Sequence, residues 1–310
     1  MRHPDLTENF VATDRPSRQI SRRRETLKRL RPFLMFTLLL ALGFGKPLYD
    51  LARYAMDNEL YSHILLVPFV SLGLIWVKRP QLSLDSRPAP QFAVFPFTIG
   101  LTVLAGFWFG IDSGWQPTTE DYLALTIFPL MTFVIGACCL FLGHETGRAI
   151  AFPITFLFCM VPFPTVFRDL IEVFFQQTSM AAAYAMLHLG GTPVFRQGLE
   201  LQLPGFRMEV AQDCSGIRSS LMLFITSLLA GHLFLRSPWK RGWLALAVIP
   251  LGILRNGLRI FTIGELCVHV SPDMINSYLH RRGGPVFFVL SLIPFFLLLY
   301  FLRRSERRRS

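Results

Sequence analysis

Charge is scarce in this chain: only 16% of its 310 residues are Asp, Glu, Lys or Arg, against 52% hydrophobic residues and 30 Phe. With a mean hydropathy of +0.43, that balance excludes an ordinary soluble globular domain, in which about a quarter of residues are charged. Cysteine is scarce too. The five thiols, Cys138, Cys139, Cys159, Cys214 and Cys267, form no paired CxxC units and no other metal-ligand spacing, so neither a metal nor a cofactor is expected. Internal repeats are missing, and low complexity is confined to basic tails. The first 30 residues lack the short apolar core and small-residue cleavage site of a secretory signal, so the first apolar run is expected to stay as an anchor.

Long apolar runs are what the chain has instead. A membrane span needs roughly 20 such residues, because about 30 Å of hydrocarbon is crossed at about 1.5 Å per residue. Eight runs qualify, at 33–51, 60–77, 92–111, 122–142, 147–165, 215–235, 241–261 and 285–302. The expected fold is an all-α polytopic membrane protein, a bundle of about eight transmembrane helices. A membrane domain over 33–302 would lie between basic cytoplasmic tails at 1–32 and 303–310. The fifth run is the weakest, since Pro153, Pro162 and Pro164 interrupt it.

A net charge of +11 would point to nucleic acid if it formed a patch, but its placement excludes that reading. Eight basic residues from Arg15 to Arg31 precede the first run, and five from Arg303 to Arg309 follow the last. With both termini inside, Lys78, Arg79, Arg87, Arg148, Arg236, Lys240 and Arg241 also fall in cytoplasmic loops, as positive-inside topology requires. The loop at 112–121 falls outside and carries Asp112, Glu120 and Asp121 without Lys or Arg. Arg53, Arg281 and Arg282 are exceptions. The expected partners are the lipid bilayer and whatever the outer face recognises, with no nucleic acid.

Between 166 and 214 the pattern changes. Residues 169–189 read as a helix with Asp169, Glu172, Gln176 and Gln177 on a polar side, too polar to face lipid. After it, Leu199, Leu201 and Leu203 alternate with Glu200 and Gln202 between Gly198 and Pro204-Gly205, the pattern of short strands joined by a turn. A small β element on the outer face is expected, either as one wall of a site or as an ordinary connection.

That element leads into the polar string DCSGIR, Asp213 to Arg218, at the mouth of the sixth run. Helix-start amides and Arg218 would favour a Cys214 thiolate, and Asp213 would oppose it unless its side chain caps the helix. A capped helix with an incidental cysteine is the alternative. The seventh run ends in ILRNGLRIF, which sets Arg255 and Arg259 one turn apart, with Arg255 the deeper and the more in need of a partner. Asn256 is expected to orient an arginine, to hold a backbone turn, or to join helices by a hydrogen bond. His280 precedes the eighth run, where a near-neutral imidazole can exchange protons. Cys214, Arg259 and His280 come from three segments that this topology puts on one side of the membrane. His63, at the outer end of the second run, is a second proton carrier or a structural, substrate-contacting residue.

These strings resemble the exosortase/archaeosortase family of multipass membrane transpeptidases. The resemblance rests on CSGxR as Cys214, Ser215, Gly216 and Arg218, on NxxR as Asn256 and Arg259, and on HxxxGxxxF as His280, Gly284 and Phe288. Ser62, His63, Leu66, Val67 and Pro68 add a fourth match, and roughly residues 33–302 are covered. It implies a cysteine-type peptidase with Cys214 as nucleophile and Arg259 and His280 beside it, supported by Ser215, Arg218, Arg255, Asn256 and His63. Its substrates would be exported proteins with a C-terminal sorting signal: a short motif, a transmembrane helix and a basic cluster. Cleavage at the outer face of the cytoplasmic membrane would pass them to a membrane acceptor, in systems of the PEP-CTERM type tied to exopolysaccharide. Asp213 stands where a small residue is expected and bears on the thiol's ionisation. A transporter for an anionic or lipid-linked substrate, with the arginines as its binding site, is the competing reading, and a purely structural role is the third.

Overall fold

The computed structural model describes residues 30–79, 90–209, 215–277 and 283–308. Asp213, Cys214, His280, Arg281, Arg282 and Arg87 lie outside the described residues, as does nearly all of the expected N-terminal tail. Two compact units divide the chain, Met1–Pro164 and Thr165–Ser310. Among the described residues six helices are long and apolar enough to cross a membrane. The number rises to eight if each of two interrupted pairs, Leu30–Gly43 with Gly45–Asp57 and Ala151–Met160 with Thr165–Leu189, is one span. The chain is a multi-pass helical membrane protein, as its composition requires.

In the first unit, α1 (Leu30–Gly43) meets α2 (Gly45–Asp57) at a 69° bend. Pro47 accounts for it: with no N–H, it cannot bond back to Gly43, so the ladder of hydrogen bonds is broken there. Asn58 then starts a tight 3-10 turn, Glu59–Leu65, by accepting from Leu60 N at 2.9 Å. α3 (Val67–Lys78) follows with Pro68 in its first turn, where the missing N–H costs nothing. α4 (Pro90–Asp112) packs on α5 (Thr119–Ala137), and a Cβ at Gly136 would stand 2.8 Å from the Phe97 ring, so only glycine fits. The Tyr54 hydroxyl donates to buried Glu120 at 2.7 Å and ties α2 to α5.

The fifth apolar run does not form one helix. α6 (Gly143–Ala149) and α7 (Ala151–Phe156) are short, and after a tight turn at Leu157–Met160 the chain leaves helical geometry at Val161 and at prolines 162 and 164. The expected helix at 169–189 is present as α8 (Thr165–Leu189). Its polar side divides: Gln176 and Ser179 are buried, while Asp169 is exposed and paired with Arg168 at 2.7 Å.

The second unit is built on α10 (Pro238–His269), whose 32 residues extend about 48 Å. α9 (Ile217–Phe234), α8 and α11 (Gly284–Arg307) pack around it. Between α8 and α9 lies an antiparallel sheet, β1 (Phe195–Gln197), β2 (Glu200–Leu203) and β3 (Phe206–Glu209), in the order β1-β2-β3. Its turns fall at Gly198 and Gly205, both at positive φ, which glycine adopts without strain. Alternation does what the sequence implies: Leu201, Leu203 and Met208 are buried against Met180 and Leu187 of α8 and Ile260 and Ile263 of α10. Leu201 pairs with Met208, so one face of two strands supplies the contact.

Candidate active site

α9 begins at Ile217, and the residue before it, Gly216, has φ 78° and ψ 8°. This left-handed backbone costs about 1–2 kcal/mol with any ordinary L side chain. It stops α9 from extending back through Ser215, and the N-cap position belongs to Gly216. Arg218 is an exposed residue of the first turn of α9.

What holds this turn is α10. Asn256 Nδ2 donates to the carbonyl of Ser215 at 3.1 Å, and Arg255 Nη2 donates to the carbonyl of Gly216 at 3.0 Å. All three side chains are withdrawn from solvent, with Ser215 1%, Asn256 2% and Arg255 7% exposed. Each bond contributes about 1 kcal/mol net, and about 1.5–3 where the donor is charged. The Gly216 carbonyl also accepts from Ser220 N at 3.1 Å, so of the two donors it is Asn256 whose loss would leave a carbonyl, that of Ser215, without this bond. A Cβ on Gly216 would stand 2.8 Å from Asn256 Cγ and 2.9 Å from Arg255 Nη2. Gly216 is therefore required twice, by its backbone angle and by the donors pressed against it.

Two further glycines let α10 approach this closely. At Gly252 a Cβ would meet Ser220 Oγ of α9 at 2.5 Å, and at Gly257 one would meet Ala182 Cβ of α8 at 2.8 Å. Small residues at helix crossings bring backbones together in membranes. Here they flank Arg255 and Asn256, so the donors reach main chain and not merely side chain. The sequence expectation set these residues near the end of their span; α10 in fact runs on to His269. Glu265 makes the extension tolerable by accepting from the buried Thr192 hydroxyl at 2.6 Å and pairing with His269 at 3.1 Å.

Arg259 is half-buried, one turn beyond Arg255 along α10. Arg255 Nη1 is buried and has no hydrogen-bond partner among the described residues. The described residues on either side of 210–214 in the chain both rest on α10, β3 through the sheet cluster and Ser215 and Gly216 through the two hydrogen bonds. The other segment of interest, 278–282, follows the 3-10 turn Pro272–Asn276, whose Met274 and Ile275 pack on the same cluster.

His63 belongs to the first unit, where its ring is engaged on both sides. Nδ1 lies 3.2 Å from Leu60 O and Nε2 3.2 Å from Cys159 O, with 7% of the residue exposed. Both neighbours are acceptors, and a neutral imidazole has one N–H to give. The contacts tie the 3-10 turn to the segment after α7 and fit the structural alternative. Cys138 and Cys267 are buried, and Cys139 and Cys159 are half-buried. No cluster able to hold a metal occurs among the described residues.

The sequence did not signal Gly252 and Gly257 as crossing points, although both lie within the GILRNG string that carries Arg255 and Asn256. Nor did it show that Arg255 would touch the CSGxR turn; its depth in the apolar run was the available sign.

No curated protein and no solved structure matches this chain. A family profile does: transmembrane exosortase matches residues 53–297, which includes both sides of the α9–α10 clamp and the segments that carry Cys214 and His280. The chain therefore belongs to the transmembrane exosortase family, and is a membrane peptidase or transpeptidase acting on protein substrates.

Proposed function

We propose that this exosortase cuts the C-terminal sorting signal from exported proteins by nucleophilic attack of Cys214, at the outer face of the cytoplasmic membrane, with both termini inside. The observation that carries the reading is the pair of hydrogen bonds from Arg255 and Asn256 to the carbonyls of Gly216 and Ser215. They tie Asn256 of the NxxR string and Arg255 just before it to the CSGxR string, 41 and 39 positions away, directly after the thiol in the chain. A clamp on main chain at that point is what a fixed nucleophile needs, because attack requires reacting atoms held about 3–3.5 Å apart.

In this reaction the Cys214 thiolate adds to the scissile carbonyl, and the peptide C–N bond then breaks. The exported protein is left as a thioester, and the transmembrane helix with its basic cluster departs as the amine, which takes a proton from His280. An acceptor nucleophile, deprotonated by His280, then displaces the thiol. Arg259 supports the thiolate and the oxyanion, a role in which loss of one donor costs a factor of about 100 to 1,000. First-turn amides of α9, which starts three residues after Cys214 in the chain, would favour its thiolate. A link to exopolysaccharide and cell-surface assembly, in a PEP-CTERM-type system, is part of the proposal.

Co-expression with a tagged protein ending in a short motif, an apolar helix and an arginine cluster tests it. The expected result is a shortened product, plus a covalent adduct on Cys214 when turnover is slowed. Undiminished processing by Cys214→Ala would sink the mechanism; a transporter would keep its activity in that variant.

A further inference from the structure

At the end of the second unit away from Ser215, the close of α9, the start of α10 and the close of α11 surround a cleft of about 810 Å³. Arg236, Lys240, Arg241, Arg303 and Arg307 line it, with Glu306 as the acid among them. Glu306 is committed to the start of α10, accepting from Arg236 N at 3.0 Å and Ser237 N at 2.9 Å. Lys240 donates to Leu302 O and Ser305 Oγ and Arg241 donates twice to Leu235 O, and Glu306, held below the usual carboxylate range by its backbone bonds together with Lys240 and Arg236, is one acid against five cations. Arg236, Arg303 and Arg307 are exposed, with Arg303 and Arg307 one turn apart on α11.

Topology alone asks only that basic residues lie on one side of the membrane. It does not ask that five of them, from three helix ends, converge on one cavity. The level of that cavity is marked independently by Trp239 and Trp243 in the opening turns of α10, 81% and 65% exposed, since exposed Trp gathers where headgroups meet hydrocarbon. Leu233 and Phe234 give the same cleft an exposed apolar edge.

We propose that this cleft is a binding site for the phosphate of an anionic phospholipid, with Arg236, Arg303 and Arg307 as its principal donors and the apolar edge against the acyl chains. Basic pockets between helix ends recognise such headgroups, and guanidinium forks suit phosphate oxygens. The proposal is independent of the reaction at Cys214.

The test uses the full chain in mixed micelles, titrated with phosphatidylglycerol, with phosphatidylcholine, and with inorganic phosphate, and read by retained lipid in native mass spectrometry and by thermal midpoint. Phosphatidylglycerol should bind at least tenfold tighter than phosphatidylcholine. The R303Q/R307Q double variant should weaken it roughly 30-fold, and Arg236→Gln alone roughly fivefold, with midpoints in phosphatidylcholine unchanged. Should the double variant not fold, Arg236→Gln carries the comparison. Equal binding of the two lipids, or wild-type binding by the variants, overturns the site, and protection by inorganic phosphate equal to that by the lipid overturns the lipid assignment.

Discussion

Asn256 and Ser215 stand 41 positions apart in the chain and 3.1 Å apart across a buried hydrogen bond, side-chain amide to main-chain carbonyl. The bond joins two of the strings on which the sequence resemblance rests, and it can be tested without touching the thiol. Asn256→Ala should cost about 1–3 kcal/mol, the penalty of leaving a buried carbonyl unpaired, and should lower processing at least tenfold. Asn256→Asp should be no better, since a carboxylate has no hydrogen to give that carbonyl. Thermal unfolding and the rate of substrate shortening, measured together, check both. Processing at the wild-type rate in Asn256→Asp would show that the bond does not matter to the site.

Gly216→Ala adds one methyl group at a position where φ is 78° and donors already stand within 3 Å. The strain of the backbone angle and the displacement of Arg255 and Asn256 act together. Processing should fall below detection while the chain still inserts in the membrane, as read by labelling of its loops. Gly198→Ala, at φ 62° with open space around it, is the control: it carries only backbone strain, about 1 kcal/mol, and should retain processing.

Arg255 bonds the Gly216 carbonyl, whereas the role proposed for Arg259 is in the chemistry, so their variants should differ in kind. Arg255→Met removes a buried charge together with its bond to Gly216, two effects of opposite sign on stability. The thermal midpoint should move little, and processing should drop strongly because the turn is freed. Arg255→Lys should not rescue it, since an ammonium has no planar fork to span the same place. Arg259→Ala should reduce processing by a factor of about 100 to 1,000 without loosening the turn. Protease sensitivity between β3 and α9 separates the two: raised in Arg255→Met, unchanged in Arg259→Ala.

His63→Ala should act through folding. It empties the space between Leu60 O and Cys159 O, and the expected cost is about 1–3 kcal/mol, seen as a lower thermal midpoint. The rate at which Cys214 reacts with a small alkylating agent should stay at its wild-type value. A changed alkylation rate with an unchanged midpoint would give His63 a part in the chemistry instead.

Much of this was legible in the residues, and the parts that were not have physical causes. Leu199, Leu201 and Leu203 alternating between two turn glycines announced the sheet, because burial on one face of a strand leaves that period. The extent of α10 was hidden because Glu265 and His269 look like the end of an apolar run, whereas each satisfies the other and Thr192 meets the remaining oxygen. Pro47 carried the signal of the α1–α2 bend, but hydropathy averages over such single residues. The exact start of α9 was hidden for a related reason: Gly216 stops the helix by its backbone angle, which no count of apolar residues registers.

The clamp on the α9 turn takes hold of Ser215 and Gly216 by their carbonyl oxygens, groups that every residue possesses. Such a grip is indifferent to the side chains that precede it. What fixes this turn is therefore the path of its main chain, and a change in α10 that moves the two donors reaches the turn with every side chain of the turn unaltered.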